Sequence, residues 1–166
     1  MMPKSGASDH SAATVVVSSA VHLLHRAGQC ADEVFSGNLS DSSMTPRQYA
    51  VLKAVEVSTE PSQTTLVDIT GIDRSTIADI VRRLVERGFM ARRRTRRDAR
   101  MYALRLTPKG QTALRNAEPA AISTDERLLA ALAPGERSAF LSALNRIVET
   151  IGPISSARVG REAVKG

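Results

Sequence analysis

The strongest constraint in this chain is one unbroken stretch, SQTTLVDITGIDRSTIADIVRRLVERG, residues 62–88. Ser62 can cap a helix bearing Leu66 and Ile69, and Gly71 ends it. Asp73 can then cap a second helix. Its apolar positions Ile77, Ile80, Val81, Leu84 and Val85 recur at i, i+3, i+4, i+7 and i+8, one face of a 3.6-residue period. Gly88 stands where a C′ glycine would close it. Two short helices joined by a tight glycine turn predict a helix-turn-helix unit.

After Gly88 the period changes. Phe89 and Ala91 alternate with Met90 and Arg92, and later Tyr102, Leu104 and Leu106 alternate with Met101, Ala103 and Arg105. Alternation of this kind predicts two strands. Between them, from Arg92 to Arg100, lie six arginines and one aspartate. Like charges at that density repel one another, so the hairpin tip is expected to stay solvated until an anion neutralises it. Lysine and glutamate together would serve solubility equally well. A run this one-sided therefore points to a phosphate-seeking wing.

The flanks read as helices. Residues 1–10 are small and polar, a flexible N-terminus. From Ser11 to about Phe35, Val16, Ala20, Leu23, Leu24, Ala27, Ala31, Val34 and Phe35 share one broad face. GNLSDSS, residues 37–43, is a loop by composition. Thr45-Pro46 opens a helix carrying Tyr49, Leu52, Val55 and Val57, which Thr59-Glu60-Pro61 breaks. Thr107-Pro108 opens a long helix to about Leu132, in which Pro119 is expected to produce a kink or a break. Pro134 opens a last helix with Phe140, Leu144, Ile147, Val148 and Ile151 on one stripe, and Pro153 is expected to end it.

Composition narrows the function classes. A chain of 166 residues can bury a real core, and one with three Phe, two Tyr and no Trp must fill it with Leu, Ile, Val and Ala. The formal charge of +6 favours a polyanionic partner. Cys30 is the single cysteine, which excludes an intramolecular disulfide and a cysteine-based zinc cage and suits a reducing compartment. Ala12–Leu24 imitates the apolar part of a secretory signal, but Ser18, Ser19 and His22 interrupt it and Asp9 precedes it. With no run of about 18 apolar residues, no membrane partner and a cytoplasmic location are expected. No nucleophile–base set, carboxylate pair, glycine-rich phosphate loop or metal cluster is visible, and all three histidines fall in the first 25 residues. The expectation is a protein that is not an enzyme, with no cofactor and no metal.

The order helix, helix, helix-turn-helix, wing, long helix, helix resembles the MarR family of winged helix-turn-helix regulators. The residues that carry the resemblance are TPRQYAVL (45–52), GIDRSTIADIVRRLVERGFMARR (71–93), DAR (98–100) and LTPKG (106–110). It extends over about residues 11–152. It implies a mainly α fold with a small β-wing and this division: 1–10 flexible, 11–44 N-terminal dimerisation helix and loop, 45–107 DNA-binding lobe, 108–153 C-terminal dimerisation helices, 154–166 flexible basic tail. It also implies an obligate homodimer on double-stranded DNA. The second helix of each unit would enter the major groove and a wing arginine the minor groove. The family's usual glycine or proline near the wing tip is replaced here by further arginines.

Opposite the apolar stripe of the second helix lie Ser75, Asp79, Arg82, Arg83 and Glu86, with Thr76 at the flank. Short hydroxyls beside a helix N-terminus suit phosphate and base edges. Arg82 has the reach for guanine O6 and N7. Asp79 would either accept from cytosine or pair with Arg82 or Arg83 to orient them. Arg74 lies toward the core side, placed to snorkel to a phosphate. In the wing, Arg100 suits the narrow minor groove, with Asp98 fixing the tip, while Arg92, Arg93, Arg94, Arg96 and Arg97 would meet phosphates.

The resemblance further implies a repressor relieved by a small anionic aromatic effector, either an aromatic acid, a phenol or its coenzyme A thioester. His22, Arg26 and Tyr49 could line its pocket, with Cys30 nearby; a dimer-interface or exposed role for them is equally open. A branch of the family senses peroxide through a cysteine in the first helix, and Arg26, one turn before Cys30, could activate it. That branch also places tyrosines near the thiol, and this helix has none. Cys30 therefore reads first as a half-buried inert thiol. The alternative from a different class is an architectural nucleic-acid-binding protein without an effector.

Overall fold

Side-chain caps set where the helices of this chain begin. The computed structural model describes residues 19–39, 44–94 and 102–162, with side chains up to residue 152. Ser19 caps α1, Ala20–Gly37. Thr45 and Gln48 form a capping box at the start of α2, Pro46–Val57, with proline at its first position. Ser62 and Thr65 do the same for α3, Gln63–Thr70, which Gly71 ends at φ +66°. Asp73 caps α4, Arg74–Glu86, and Gly88 at φ +72° turns the chain out of it. The hairpin β1, Met90–Arg94, and β2, Tyr102–Leu106, pairs antiparallel with Met90 opposite Leu106 and Arg94 opposite Tyr102. Thr107 caps α5, Pro108–Ala130, and α6 spans Arg137–Glu162. Among the described residues the fold is thus six helices and one two-stranded sheet, as the sequence predicts. None of those helices is long and apolar enough to cross a membrane.

The core gathers Val51, Leu52, Leu66, Ile77, Val81, Leu84, Met90 and Leu114, one or more from each of α2, α3, α4, β1 and α5. The α4 stripe is buried from Ile77 to Leu84, with Val85 half-buried. The short α3 offers the core Leu66 but leaves Ile69 exposed. The wing departs from strict alternation: Ala103 and Leu104 are both buried while Tyr102 is exposed. Packing against α2 and α5 covers both faces of β2 at its centre, and the Leu104 N–H donates to the Pro61 carbonyl at 2.9 Å. That bond ties the wing to the break before α3.

Neither a break at Pro119 nor an end at Pro153 is found. α5 runs continuously through Pro119, which lies on its exposed face, where water can take up the carbonyl freed by the missing N–H. α6 likewise continues through Pro153 to Glu162, since one proline deletes a single backbone bond and need not end a helix. At its other end, Pro134 lies in a turn ahead of α6; there the Glu136 carboxylate accepts from the Ala133 N–H at 2.9 Å.

The terminal helices pack differently from the middle of the chain. α1 buries only Phe35 and exposes Val21, Leu23 and Leu24, so most of the apolar face predicted there is uncovered. α6 exposes Phe140, Leu141, Ile147, Val148 and Ile151. The predicted helical segment 11–18 and the loop residues 40–43 lie outside the described residues.

Candidate nucleic-acid interface

The exposed side of α4 begins at its cap. The Asp73 carboxylate accepts from the Thr76 N–H at 2.9 Å and from the Ser75 hydroxyl at 2.6 Å. Hydrogen bonds from Ser75 and Thr76 hold its carboxyl well below the usual range. Ser75 therefore gives its proton to the cap and keeps its oxygen lone pairs for another partner. Arg74 is exposed at the first helical position and not tucked toward the core, because the helix N-terminus faces solvent there.

One turn further on, the charged residues pair with one another. Arg82 Nη2 donates to Asp79 Oδ1 at 2.6 Å, and Arg82 Nη1 donates to Glu86 Oε1 and Oε2 at 2.9 and 3.0 Å. The second Asp79 oxygen lies 2.8 Å from Arg83 Nε. The Arg82 hydrogen bond, reinforced by both arginine charges, lowers the Asp79 pKa; Asp79 and then Glu86 raise that of Arg82. Of the two roles open for Asp79 from sequence, this arrangement is the pairing one.

β1 continues from the C-terminal end of α4, and the link is built tightly. The Thr107 hydroxyl donates to the Gly88 carbonyl at 2.6 Å, while the Thr107 N–H donates to the Phe89 carbonyl at 3.1 Å. Gly110 packs so closely that a Cβ there would lie 1.9 Å from the Phe89 carbonyl oxygen. The glycine of LTPKG is thus required by the approach of α5 to the root of the wing. Arg92, Arg93 and Arg94 are exposed on β1, with no ion pair to a carboxylate among the described residues. Arg96, Arg97, Asp98 and Arg100 lie outside the described residues.

Behind this surface lies a cleft of about 720 Å³, lined by Leu39 and Met44 before α2, Arg87 and Phe89 after α4, and Lys109, Thr112 and Asn116 on α5. The Arg87 guanidinium lies 4.5 Å from the Phe89 ring centre, and Lys109 Nζ lies 5.2 Å from it while donating to the Arg87 carbonyl at 2.9 Å. Sequence reasoning missed Arg87, Lys109 and Asn116. Lys109 and Arg87 are 22 residues apart, and only the folded hairpin brings them together.

The ligand residues nominated from sequence lie elsewhere. His22 is half-buried on α1, Arg26 and Cys30 are exposed there, and Tyr49 on α2 packs against Phe35 with ring centres 5.8 Å apart. Partial burial and then the Glu118 charge raise the Tyr49 pKa. Cys30 is exposed and not half-buried, because no element among the described residues covers its side of α1. None of the four lines this cleft or the second one, walled by Val55, Arg93, Arg105 and Gln111 beneath the wing.

Comparison with known proteins fits this architecture. A protein assigned as a transcriptional regulator of the hcr operon in Thauera aromatica is 33% identical over 104 residues, 63% of each chain, so the alignment spans less than two thirds of that protein. The transcriptional repressor NicR of Pseudomonas putida is 30% identical over 129 residues, 78% of this chain and 82% of the relative. Among solved structures, Bordetella bronchiseptica BpsR, whose DNA binding is regulated by 6-hydroxynicotinic acid, superposes with a TM-score of 0.73 at 29% identity, over 79% of this chain and 94% of that one. Residues 42–101, which hold the helix-turn-helix and the root of the wing, match the MarR family profile. With the fold, the exposed basic surface and these relatives in agreement, the chain belongs to the MarR family of DNA-binding winged helix-turn-helix transcriptional regulators.

Proposed function

We propose that this regulator is a homodimeric repressor, released from a pseudo-palindromic operator by a small aromatic anion. The observation that carries the effector half of this reading is the cleft behind α4. Leu39, Met44, Phe89, Ala113 and Ala117 give it an apolar lining, Arg87 and Lys109 offer cations, and Thr112 and Asn116 offer neutral polar groups. That combination suits a flat ring bearing a carboxylate. A ligand there would touch Arg87 and Phe89, the residues that connect α4 to the wing, so occupancy could shift both. His22, Arg26 and Tyr49 form a second candidate set, outside this cleft.

The dimer half rests on α1 and α6, whose exposed apolar residues would be covered by a second copy. In such a dimer the two α4 helices would enter successive major grooves about one helical turn apart. Arg74, Ser75, Thr76, Arg82 and Arg83 would face bases and phosphates, the wing arginines phosphates, and Arg100 the minor groove.

The test is a thermal-shift screen of aromatic acids, phenols and coenzyme A esters, followed by release from an operator selected out of a randomised duplex pool. Ligands that raise the melting temperature should release DNA, and Asn116→Ala should abolish both effects. If Arg26→Ala abolishes them and Asn116→Ala does not, the effector belongs to the second set. A stable DNA-competent monomer would remove the dimer. The exposed Cys30 supports a second reading, release by peroxide; it predicts a wild type that leaves DNA on oxidation and a Cys30→Ser variant that does not. Binding without preference for any sequence would leave an architectural protein.

A further inference from the structure

The middle of the exposed face of α4 holds two arginines and yet carries no net charge. Asp79 and Glu86 balance Arg82 and Arg83 within about two turns of helix. Arg82 is held from both sides, by Asp79 at i−3 and by Glu86 at i+4, and Asp79 also takes Arg83. All four side chains are more than 40% exposed, and these ion pairs are the charged contacts of the two guanidinium groups among the described residues.

We propose that Asp79 and Glu86 are specificity-determining positioning residues that withhold Arg82 and Arg83 from the phosphate backbone. The argument is a competition between acceptors. A free arginine gains a charge-assisted contact from phosphate at any sequence, and so raises binding to all DNA alike. A collared arginine must leave its carboxylates to follow a phosphate, and those carboxylates repel the phosphates it would approach. The collar occupies Arg82 Nη1 and one N–H of Nη2, which leaves the Nε N–H and the second Nη2 N–H for another acceptor. In the major groove only guanine offers O6 and N7 together to two guanidinium nitrogens, so that edge can be met with the collar in place. The cost therefore falls on phosphate contacts and not on the base contact, a repulsive element that lowers non-specific binding more than specific binding. This inference rests on the reading that the exposed face of α4 meets base edges.

The experiment measures binding of Asp79→Asn, Glu86→Gln and the double variant to a selected operator and to a scrambled duplex across a salt series. In the double variant the affinity for scrambled DNA should rise several-fold. Its log–log salt slope should steepen by about one to two units as released arginines reach phosphate in both half-sites. The operator-to-scrambled ratio should fall about ten-fold, on the order of one lost bidentate base contact. Asp79→Glu, which keeps the charge, should retain most of the ratio. An unchanged ratio in the double variant, or a parallel fall on both duplexes with a lower melting temperature, overturns the proposal. Arg82→Ala separates it from the reading beneath it. If that variant keeps full operator affinity, α4 does not read bases through Arg82; if it loses affinity while the double variant keeps its ratio, only the withholding fails.

Discussion

α4 and β1 are consecutive in the chain and hold arginine in opposite ways. On α4, Arg82 and Arg83 are each matched by a carboxylate within 2.9 Å, and the surface is neutral. On β1, Arg92, Arg93 and Arg94 stand exposed in succession with no carboxylate partner among the described residues. An unpaired arginine contributes attraction that any polyanion can satisfy, while a paired one contributes only where an acceptor fits the N–H groups its pairs leave over. The comparison teaches that one surface can separate affinity from selectivity by placing them on neighbouring elements. It holds only while the two elements keep their mutual register.

Breaking that register should give the largest effect. Gly110 admits no Cβ against the Phe89 carbonyl, at the point where α5 clamps the root of the wing. Gly110→Ala should therefore cost about 1–3 kcal/mol, as overpacking into a fixed backbone does. Denaturant unfolding should show it as an earlier midpoint, with DNA binding weakened on operator and scrambled duplex together. Gly28 provides the control, since its Cβ would meet nothing within 4 Å in the middle of α1. Gly28→Ala should be neutral or stabilising by up to about 1 kcal/mol. Equal stability of the two variants would mean that no clamp exists at Gly110.

Point changes on each element then sharpen the contrast. Arg82→Ala should lose about ten-fold on operator and little on scrambled DNA, the loss expected for one base contact. Arg94→Ala should lose on both, with the salt slope reduced by up to about two units, since the proposed dimer would lose a phosphate contact in each half-site. Arg100→Ala should weaken binding and also reduce preference for A·T-rich flanks. If Arg94→Ala leaves the slope unchanged on both duplexes, the arginine run serves solubility and the contrast collapses.

The features legible in the sequence were those that a few neighbouring residues decide. Thr45, Ser62, Asp73 and Thr107 cap the helices predicted to start after them, and Gly71 and Gly88 take positive φ at the predicted ends. Periodicity placed Ile77 through Leu84 in the core. Contacts between distant segments were not legible. Nothing near Gly110 announces the Phe89 carbonyl, nothing near Pro61 announces Leu104, and Arg87 meets Lys109 only after the hairpin closes. Asp79 lies between these cases. Its spacing to Arg82 and Arg83 permitted the ion pairs, but a base-contacting role was equally compatible until the geometry showed both oxygens occupied.

The smallest expected effect separates the two elements by acidity. Hydrogen bonds from Ser75 and Thr76 hold the Asp73 carboxyl below its ordinary value of 3.8, and Arg82 does the same for Asp79. A carboxyl with a depressed folded pKa binds its proton less readily folded than unfolded. Its contribution to stability is therefore complete above the unfolded value and is lost as pH falls toward the folded one. Arginine side chains as a class keep their charge throughout the acid range. Acid should accordingly weaken α4 while leaving the wing fully charged. Asparagine caps a helix about as well as aspartate but carries no titrating proton. Unfolding of wild type and Asp73→Asn, followed from about pH 6 to about pH 2.5, should give similar stability at the upper end and a flatter acid limb for the variant. Two limbs that coincide would show that the Asp73 cap is held no more tightly than an ordinary exposed carboxylate, and that α4 and β1 respond to acid alike.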